Sequence, residues 1–391
     1  MSSDNPMIPL SVPWLKGREW EYVKECLDTN WVSYLGPFVD RFEKSLAEAS
    51  GADYAVAVAS GTAALHIALM MSGVGPGDEV VMPALTFVAP ANAVRYCGAW
   101  PVFTDVRMRD WQWDVEQVAG FLDTGCEMKK SGLINRATGR RIAALLPVHL
   151  MGGMCDVDAV AALANRYDLP VVEDAAECLG ARWKDRGIGS PTAARRRIVT
   201  TSFNGNKIIT TGGGGAILTS SREVHDRARH LTTTAKTGTL EFVHDEVGYN
   251  YRLTNVAAAI GCAQLEALDE YVGVKRALAD FYRERLRDTG LVLHPEPEHC
   301  RSIFWLFSAL AATGSRPLIE RLNQRGVMAR PFWAPMHQLP MFREAMVCGS
   351  EAADRIYECG FSIPSSVGLT PADRSRVAEE VRAAAGGMAF E

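Results

Sequence analysis

The sequence predicts an α/β protein, a large domain with a mainly parallel central sheet followed by a smaller C-terminal α+β domain. Three observations carry this. From about residue 38, short apolar runs alternate with helical stretches, the pattern of βαβ units. After Asn255 a long helical pattern begins, of a length suited to joining one domain to the next. The chain has 391 residues, and single cores stop growing at about 250–300, so a second, smaller domain is expected. The expected boundaries are 1–37 for an N-terminal arm, 38–270 for the large domain and 271–391 for the small one.

Residues 38–49 carry Phe38, Val39, Phe42, Leu46 and Ala49 at helical spacing. Residues 63–71 form a second helix, rich in Ala and Leu, stopped by Ser72-Gly73 and the turn Gly75-Pro76-Gly77-Asp78. Strand-like runs follow at 80–82, 99–103, 143–148, 170–172, 198–203 and 216–218, with a helix at 157–167. The polar, basic stretch 126–141 interrupts this rhythm and reads as an exposed loop insertion. The long helical pattern covers 257–268 and 272–286, and the remainder, including 304–310 and 317–325, completes the small α+β domain.

Composition narrows the function classes. Hydrophobic residues make up 48% and charged residues 22%, as in globular proteins, and the net charge is −5 with pI near 6.0. No basic stripe recurs; Arg195, Arg196 and Arg197 form one short cluster that reads as a solvated turn, so nucleic acid is not an expected partner. The N-terminus has no basic segment leading into an apolar one, and no apolar run approaches the roughly 18 residues of a membrane span. A cytoplasmic protein without membrane contact is therefore expected. Nine cysteines stand singly, with no CxxC pair, which suits neither a disulfide framework nor a metal site.

The most informative stretch is TSFNGNK, ending at Lys207 and followed by IITTGGGG. By itself it reads as a solvated lysine beside a flexible loop. Residues 171–180, VVEDAAECLG, form a buried strand ending in acids, and strand carboxyl ends are where ligands sit in open α/β sheets. Asp174 there is either a cap for a following helix or a functional carboxylate. The run Ser60-Gly61-Thr62-Ala63-Ala64 opens a helix, whose unpaired N–H groups and positive dipole end make an anion site or a plain N-cap. Lysine, carboxylate and phosphate cradle together match pyridoxal 5'-phosphate chemistry: an amine for a Schiff base, an acid to keep the pyridine nitrogen protonated, and donors for the phosphate.

The motifs ASGTAALHIAL, GDEVVMPALTFVAPANAV, PVHLMGGMCDVD, VVEDAAECLGA, TSFNGNKIITTGGGGAI and VGYNYRLTNVAAAIGCAQL resemble, in order and spacing, the DegT/DnrJ/EryC1/StrS family of sugar aminotransferases. The resemblance runs from about Ile8 to the C-terminal region. It implies the fold-type I, aspartate aminotransferase-like architecture. It implies Lys207 as the Schiff-base lysine and proton carrier, Asp174 at the pyridine nitrogen and Glu177 near the phenolic oxygen. Phe87 would stack on the ring, Gly61, Thr62, Ala63 and Ser202 would hold the phosphate, and Asn250 would reach that phosphate from a partner subunit, making a homodimer with shared active sites.

For the substrate, the resemblance points to residues 29–42, with Trp31, Ser33 and Tyr34, and to residues 330–342, with Trp333 and His337. Arg252 is a further candidate as a clamp for carboxylate or diphosphate. The opening PLSVPWLKGREWEYVKECLDTNWVS together with the 126–141 segment resembles the branch that serves legionaminic-acid and bacillosamine-type pathways. The expected reaction moves an amino group from L-glutamate to a nucleotide-linked 4-keto-6-deoxy sugar, UDP-2-acetamido-2,6-dideoxy-4-ketohexose first, with GDP- or dTDP-linked acceptors and position 3 as alternatives. A sibling that dehydrates sugars carries histidine in place of Lys207. A noncatalytic nucleotide-sugar-binding homologue is opposed by the full set of catalytic residue types. A dinucleotide enzyme fails because 212–215 follows no GxGxxG pattern and leads into a strand-like run.

Overall fold

The apolar runs become one eight-stranded sheet. In chain order its strands are β1 (Tyr54–Val58), β2 (Glu79–Pro83), β3 (Trp100–Thr104), β4 (Ile142–Leu145), β5 (Val171–Asp174), β6 (Arg197–Ser202), β7 (Gly215–Thr219) and β8 (Met346–Val347). Their order in space is β1-β7-β6-β5-β4-β2-β3-β8. β7 runs antiparallel to both its neighbours, and the other pairings are parallel. The computed structural model describes residues 6–238 and 240–386, so the first five residues of the expected arm and the last five of the C-terminal unit lie outside it.

Twelve helices are described: α1 (Glu19–Asp28), α2 (Pro37–Ser50), α3 (Gly61–Met71), α4 (Val88–Tyr96), α5 (Val115–Gly125), α6 (Val157–Tyr167), α7 (Arg222–Thr232), α8 (Asn255–Glu266), α9 (Leu268–Leu286), α10 (Arg316–Gln324), α11 (Glu351–Cys359) and α12 (Pro371–Gly386). Local chemistry sets their ends. Pro37 opens α2 with its φ already helical, and Gly51 closes it in the left-handed conformation at φ 78°. Ser60 caps α3 by accepting the Ala63 N–H at 3.1 Å, and the Asp156 carboxylate caps α6 through the N–H groups of Asp158 and Ala159. Buried on nearly every side, α3 packs on β6 and β7, which explains why its sequence is apolar all round.

One expectation is corrected. The 126–141 segment is not an exposed loop: Cys126–Lys129 and Gly132–Asn135 form an antiparallel hairpin. Leu133, Ile134 and Asn135 are buried in it, and the Asn135 amide donates to Glu79 Oε2 at 2.7 Å. Its basic residues masked one apolar face. The two helical stretches expected after Asn255 are α8 and α9, which meet at Ala267.

Of two apolar cores, one surrounds the large sheet, and the other joins Ile8, Tyr282, Phe307, Phe361 and Val377. α9 links them, with Tyr271 and Val272 in the first and Leu278 and Tyr282 in the second. A four-stranded sheet, in the order Val292–Leu293, Ser308–Leu310, Gly360–Ser362, Arg330–Pro331, backs the second core. The C-terminal third serves both cores, since Cys300, Trp305 and Phe342 pack into the first. The N-terminal arm ties on through Ile8, whose N–H donates to Gly326 O at 2.8 Å and whose carbonyl accepts from Met328 at 3.0 Å.

Close packing where β1, β7 and α3 meet requires glycine. A Cβ on Gly215 would stand 2.5 Å from Gly61 N and 2.6 Å from Ser60 C, both backbone atoms. Gly215→Ala is therefore expected to lower the unfolding free energy by about 1–3 kcal/mol, read as a lower midpoint in urea denaturation.

Candidate active site

The carboxyl ends of β1, β2, β4, β5 and β6 open on one edge of the sheet, and each delivers a functional group there. β6 ends at Ser202, and a turn closed by Lys207 N donating to Asn204 O at 3.0 Å brings Lys207 back over the edge. Its ammonium lies 3.4 Å from Glu177 Oε1 and 3.9 Å from the centre of the Trp305 ring. Only 12% of this side chain is exposed.

Asp174 ends β5 and is buried. Its Oδ1 accepts the Ala176 N–H at 3.0 Å, and the following residues form a turn, so it does not cap a helix. Burial pushes its carboxyl up, opposed by the Ala176 N–H and by the charge of Lys207. Glu177 is pushed up by burial as well, opposed by Lys207 and by the Met151 N–H, which it accepts at 2.9 Å. Two buried carboxylates thus face one ammonium, an arrangement short of one positive charge.

The start of α3 offers an anion site next to them. Ser60 Oγ takes the Ala63 N–H and Ser60 O takes that of Ala64, while the N–H groups of Gly61 and Thr62 make no hydrogen bond among the described residues. Ala63 therefore contributes no free backbone donor here, because the serine cap engages it. Ser202 closes the cradle: a Cβ on Gly61 would stand 2.9 Å from Ser202 Cβ.

Phe87, just after β2, is 52% exposed with its ring edge-on to Trp333 at 6.2 Å. Trp333 stacks on Trp305 at 6.3 Å. Met336 N donates to Ala84 O at 2.8 Å and pins the 330–342 segment to this edge. Within that segment His337 faces Asp354 at 3.2 Å, and its Nδ1 has no partner. Trp31 and Tyr34 are exposed; backbone carbonyls of Trp31 and Ser33, bonded to Asn255, hold their segment rather than the rings. Arg252 is buried with NH2 on Glu43 Oε1 at 2.8 Å, so its fork is half used; NH1 is unpartnered beside a cavity of about 110 Å³ shared with Tyr34. Asn250 is exposed on a segment that flanks β1, where Ala59 N donates to Tyr251 O. It makes no contact with Lys207. A cavity of about 840 Å³ lies at the opposite end of the strands among Arg195, Arg196 and Arg197, remote from this chemistry.

Sequence reasoning missed three groups. Trp305 had no motif signal. The Thr86 hydroxyl, next to Phe87, is buried without a partner, as a group awaiting a ligand would be. His149, inside the PVHLMGG motif, accepts the Cys155 N–H on Nδ1 and so directs its Nε2–H to Glu173 Oε2 at 3.1 Å. Glu173 also receives two bonds from Arg197, at 2.6 and 2.7 Å. This triad lies directly behind Asp174, and the adjacent acid in VVED was its available signal.

Burial pushes the Glu173 carboxyl up, but the Arg197 charge and the bonds from His149 and Arg197 outweigh it and bring it down to about 2. A carboxyl held below its unfolded value of 4.5 stabilises the fold above that pH and loses the contribution as pH falls toward 2. Glu173→Gln should cost about 3–5 kcal/mol at neutral pH by stranding the Arg197 guanidinium, whose side chain is only 9% exposed. The deficit should shrink when urea denaturation is repeated at pH 3.

No helix of the described residues is long and apolar enough to cross a membrane. A profile for the DegT/DnrJ/EryC1/StrS aminotransferase family matches residues 13–382. The chain is 37% identical to GDP-perosamine synthase of Caulobacter vibrioides over 381 residues, covering 96% of this chain and 97% of that one. It is 35% identical to GDP-perosamine synthase of Escherichia coli O157:H7, covering 93% and 94%. Its fold matches the aminotransferase TlmJ of Streptoalloteichus hindustanus with a TM-score of 0.88 at 30% identity, covering 98% of this chain and 100% of that one. The chain belongs to the DegT/DnrJ/EryC1/StrS aminotransferase family and is a pyridoxal phosphate-dependent transaminase acting on nucleotide sugars.

Proposed function

We propose that the protein transfers an amino group from L-glutamate to a GDP-linked 4-keto-6-deoxy sugar, with Lys207 as the covalent attachment and proton-carrying residue. The observation that carries this reading is the meeting of Lys207 with two buried carboxylates at the strand ends, beside an anion cradle with free N–H groups. The donor set fits pyridoxal phosphate: one near-buried amine, an acid with an oxygen to spare, and a helix start shaped by Gly61 and Gly215 so that no side chain fills it. When bound, that group supplies an electron-accepting ring for the carbon acid. Asp174 would hold a proton at the ring nitrogen, and the Gly61 and Thr62 N–H groups with Ser202 would hold the phosphate. Phe87 would cover the ring face, and Glu177 would accept from its oxygen side while keeping Lys207 in reach. Freed from the cofactor, Lys207 Nζ would move the proton between the donor carbon and the cofactor.

The GDP-linked acceptor fits the named relatives better than the UDP-linked acetamido sugar suggested by the opening segment. Trp31, Ser33, Tyr34, Arg252, Trp333 and His337 remain the proposed substrate residues. A homodimer with shared sites is supported by Asn250, exposed on its segment, and by Leu240, Phe242 and Val247, which are 91%, 87% and 80% exposed just before it.

Glutamate-dependent turnover of GDP-, UDP- and dTDP-linked 4-keto deoxysugars, read by product mass, tests the acceptor. The GDP-linked sugar should give the highest kcat/KM, and a preference for UDP would return the earlier expectation. Lys207→Ala should lower kcat by at least about 10²-fold and abolish borohydride-trapped cofactor. Mixing Lys207→Ala with Asn250→Ala protein should restore activity in hybrid dimers; no recovery despite subunit exchange would count against a shared site.

A further inference from the structure

Lys207 is bounded by a residue that comes from the far end of the chain. Trp305, 2% exposed, presents its ring to the Lys207 ammonium at 3.9 Å. The same indole donates its Nε1–H to Asn206 O at 2.7 Å, the carbonyl immediately before Lys207. Trp305 is itself fixed. Its carbonyl accepts from the buried Lys275 ammonium at 2.6 Å, and that ammonium also donates to Ser365 O at 2.7 Å. Trp333 stacks on the ring with only 14° between planes.

We propose that Trp305 is a positioning residue for Lys207, steering its loop through the indole N–H and its amine through the ring face. This rests on reading Lys207 as the attachment lysine. The amine of that lysine would be held covalently in the resting state and released whenever the proton is moved, and a free lysine has four rotatable bonds through which to wander. An electron-rich ring attracts the ammonium without accepting its proton, whereas the Glu177 carboxylate, 3.4 Å from it, can accept it. With both in contact, the released amine keeps a defined place and can still leave it. A carboxylate alone would hold the ammonium by its charge without a second contact to fix its position.

Cofactor-free full-length protein tests this with two probes. Pyridoxal phosphate reports attachment, followed by its visible band and by borohydride reduction with peptide mass at Lys207. Pyridoxamine phosphate, which has no aldehyde, reports the noncovalent pocket alone. Trp305→Leu should slow attachment at Lys207 at least about tenfold, while pyridoxamine phosphate affinity stays within about twofold. Trp305→Phe keeps a ring face but no N–H and should fall between. Attachment by Trp305→Leu at the wild-type rate overturns the proposal, as does an equal loss with both probes, which marks a merely structural role. If Trp305→Leu lacks a cooperative unfolding transition, Trp305→Phe decides, and wild-type attachment by it overturns the proposal. Reduced cofactor on a different lysine of the wild type overturns the Lys207 reading instead, so the site of the label separates the two failures.

Discussion

Two carboxylates taken out of water beside a single ammonium are the constraint around which the rest of the molecule is arranged. Asp174 and Glu177 both pay for burial, and Lys207 offsets only part of that cost. On the proposed reading of the site, a bound pyridoxal phosphate would offset part of that deficit through a protonatable ring nitrogen beside Asp174. The sheet supplies the rigidity: β5 and β6 are adjacent and parallel, so their ends hold acid and lysine loop in fixed relation. Behind them, Arg197 pairs with Glu173 and His149 hydrogen-bonds to it, which keeps a third buried carboxylate from adding to the imbalance.

Much of this was legible in the chain because the chemistry sits at strand ends. Runs of β-branched residues mark β5 and β6, and the residues just past each run must lie at the edge. Lys207, Asp174 and the helix start at Gly61 could therefore be placed together before any coordinates. β1 escaped notice because YAVAV is short and built mostly of small apolar residues that suit helix and strand alike, and tertiary burial makes it a strand. The 126–141 hairpin escaped because its charges were counted along the sequence, while Leu133 and Asn135 face inward.

Side-chain partners were the least legible part. Arg252 looked like a free planar fork, and only the fold reveals Glu43 occupying half of it. His337 is engaged by Asp354 from α11, a residue seventeen positions on (354 minus 337) with no motif to announce it. Trp305 lies in a stretch of ten buried residues, 302–311, where nothing distinguishes a core indole from one that touches a lysine. Periodicity reports which face a residue takes, and it is silent about the neighbour that face will meet.

The Asn206 carbonyl accepts two hydrogen bonds, one from Ser11, 195 residues before it, and one from Trp305, 99 residues after it. During synthesis from the ribosome, the lysine loop is therefore made long before one of its supports exists. Closing loops of this size is slow relative to local turn formation. The sheet edge can form first, but the final shape of the lysine loop waits for the C-terminal third. A chain truncated short of Trp305 would carry the whole lysine loop and still lack one of the two bonds to its Asn206 carbonyl, so the order of synthesis leaves this loop half-supported until the C-terminal third has been made.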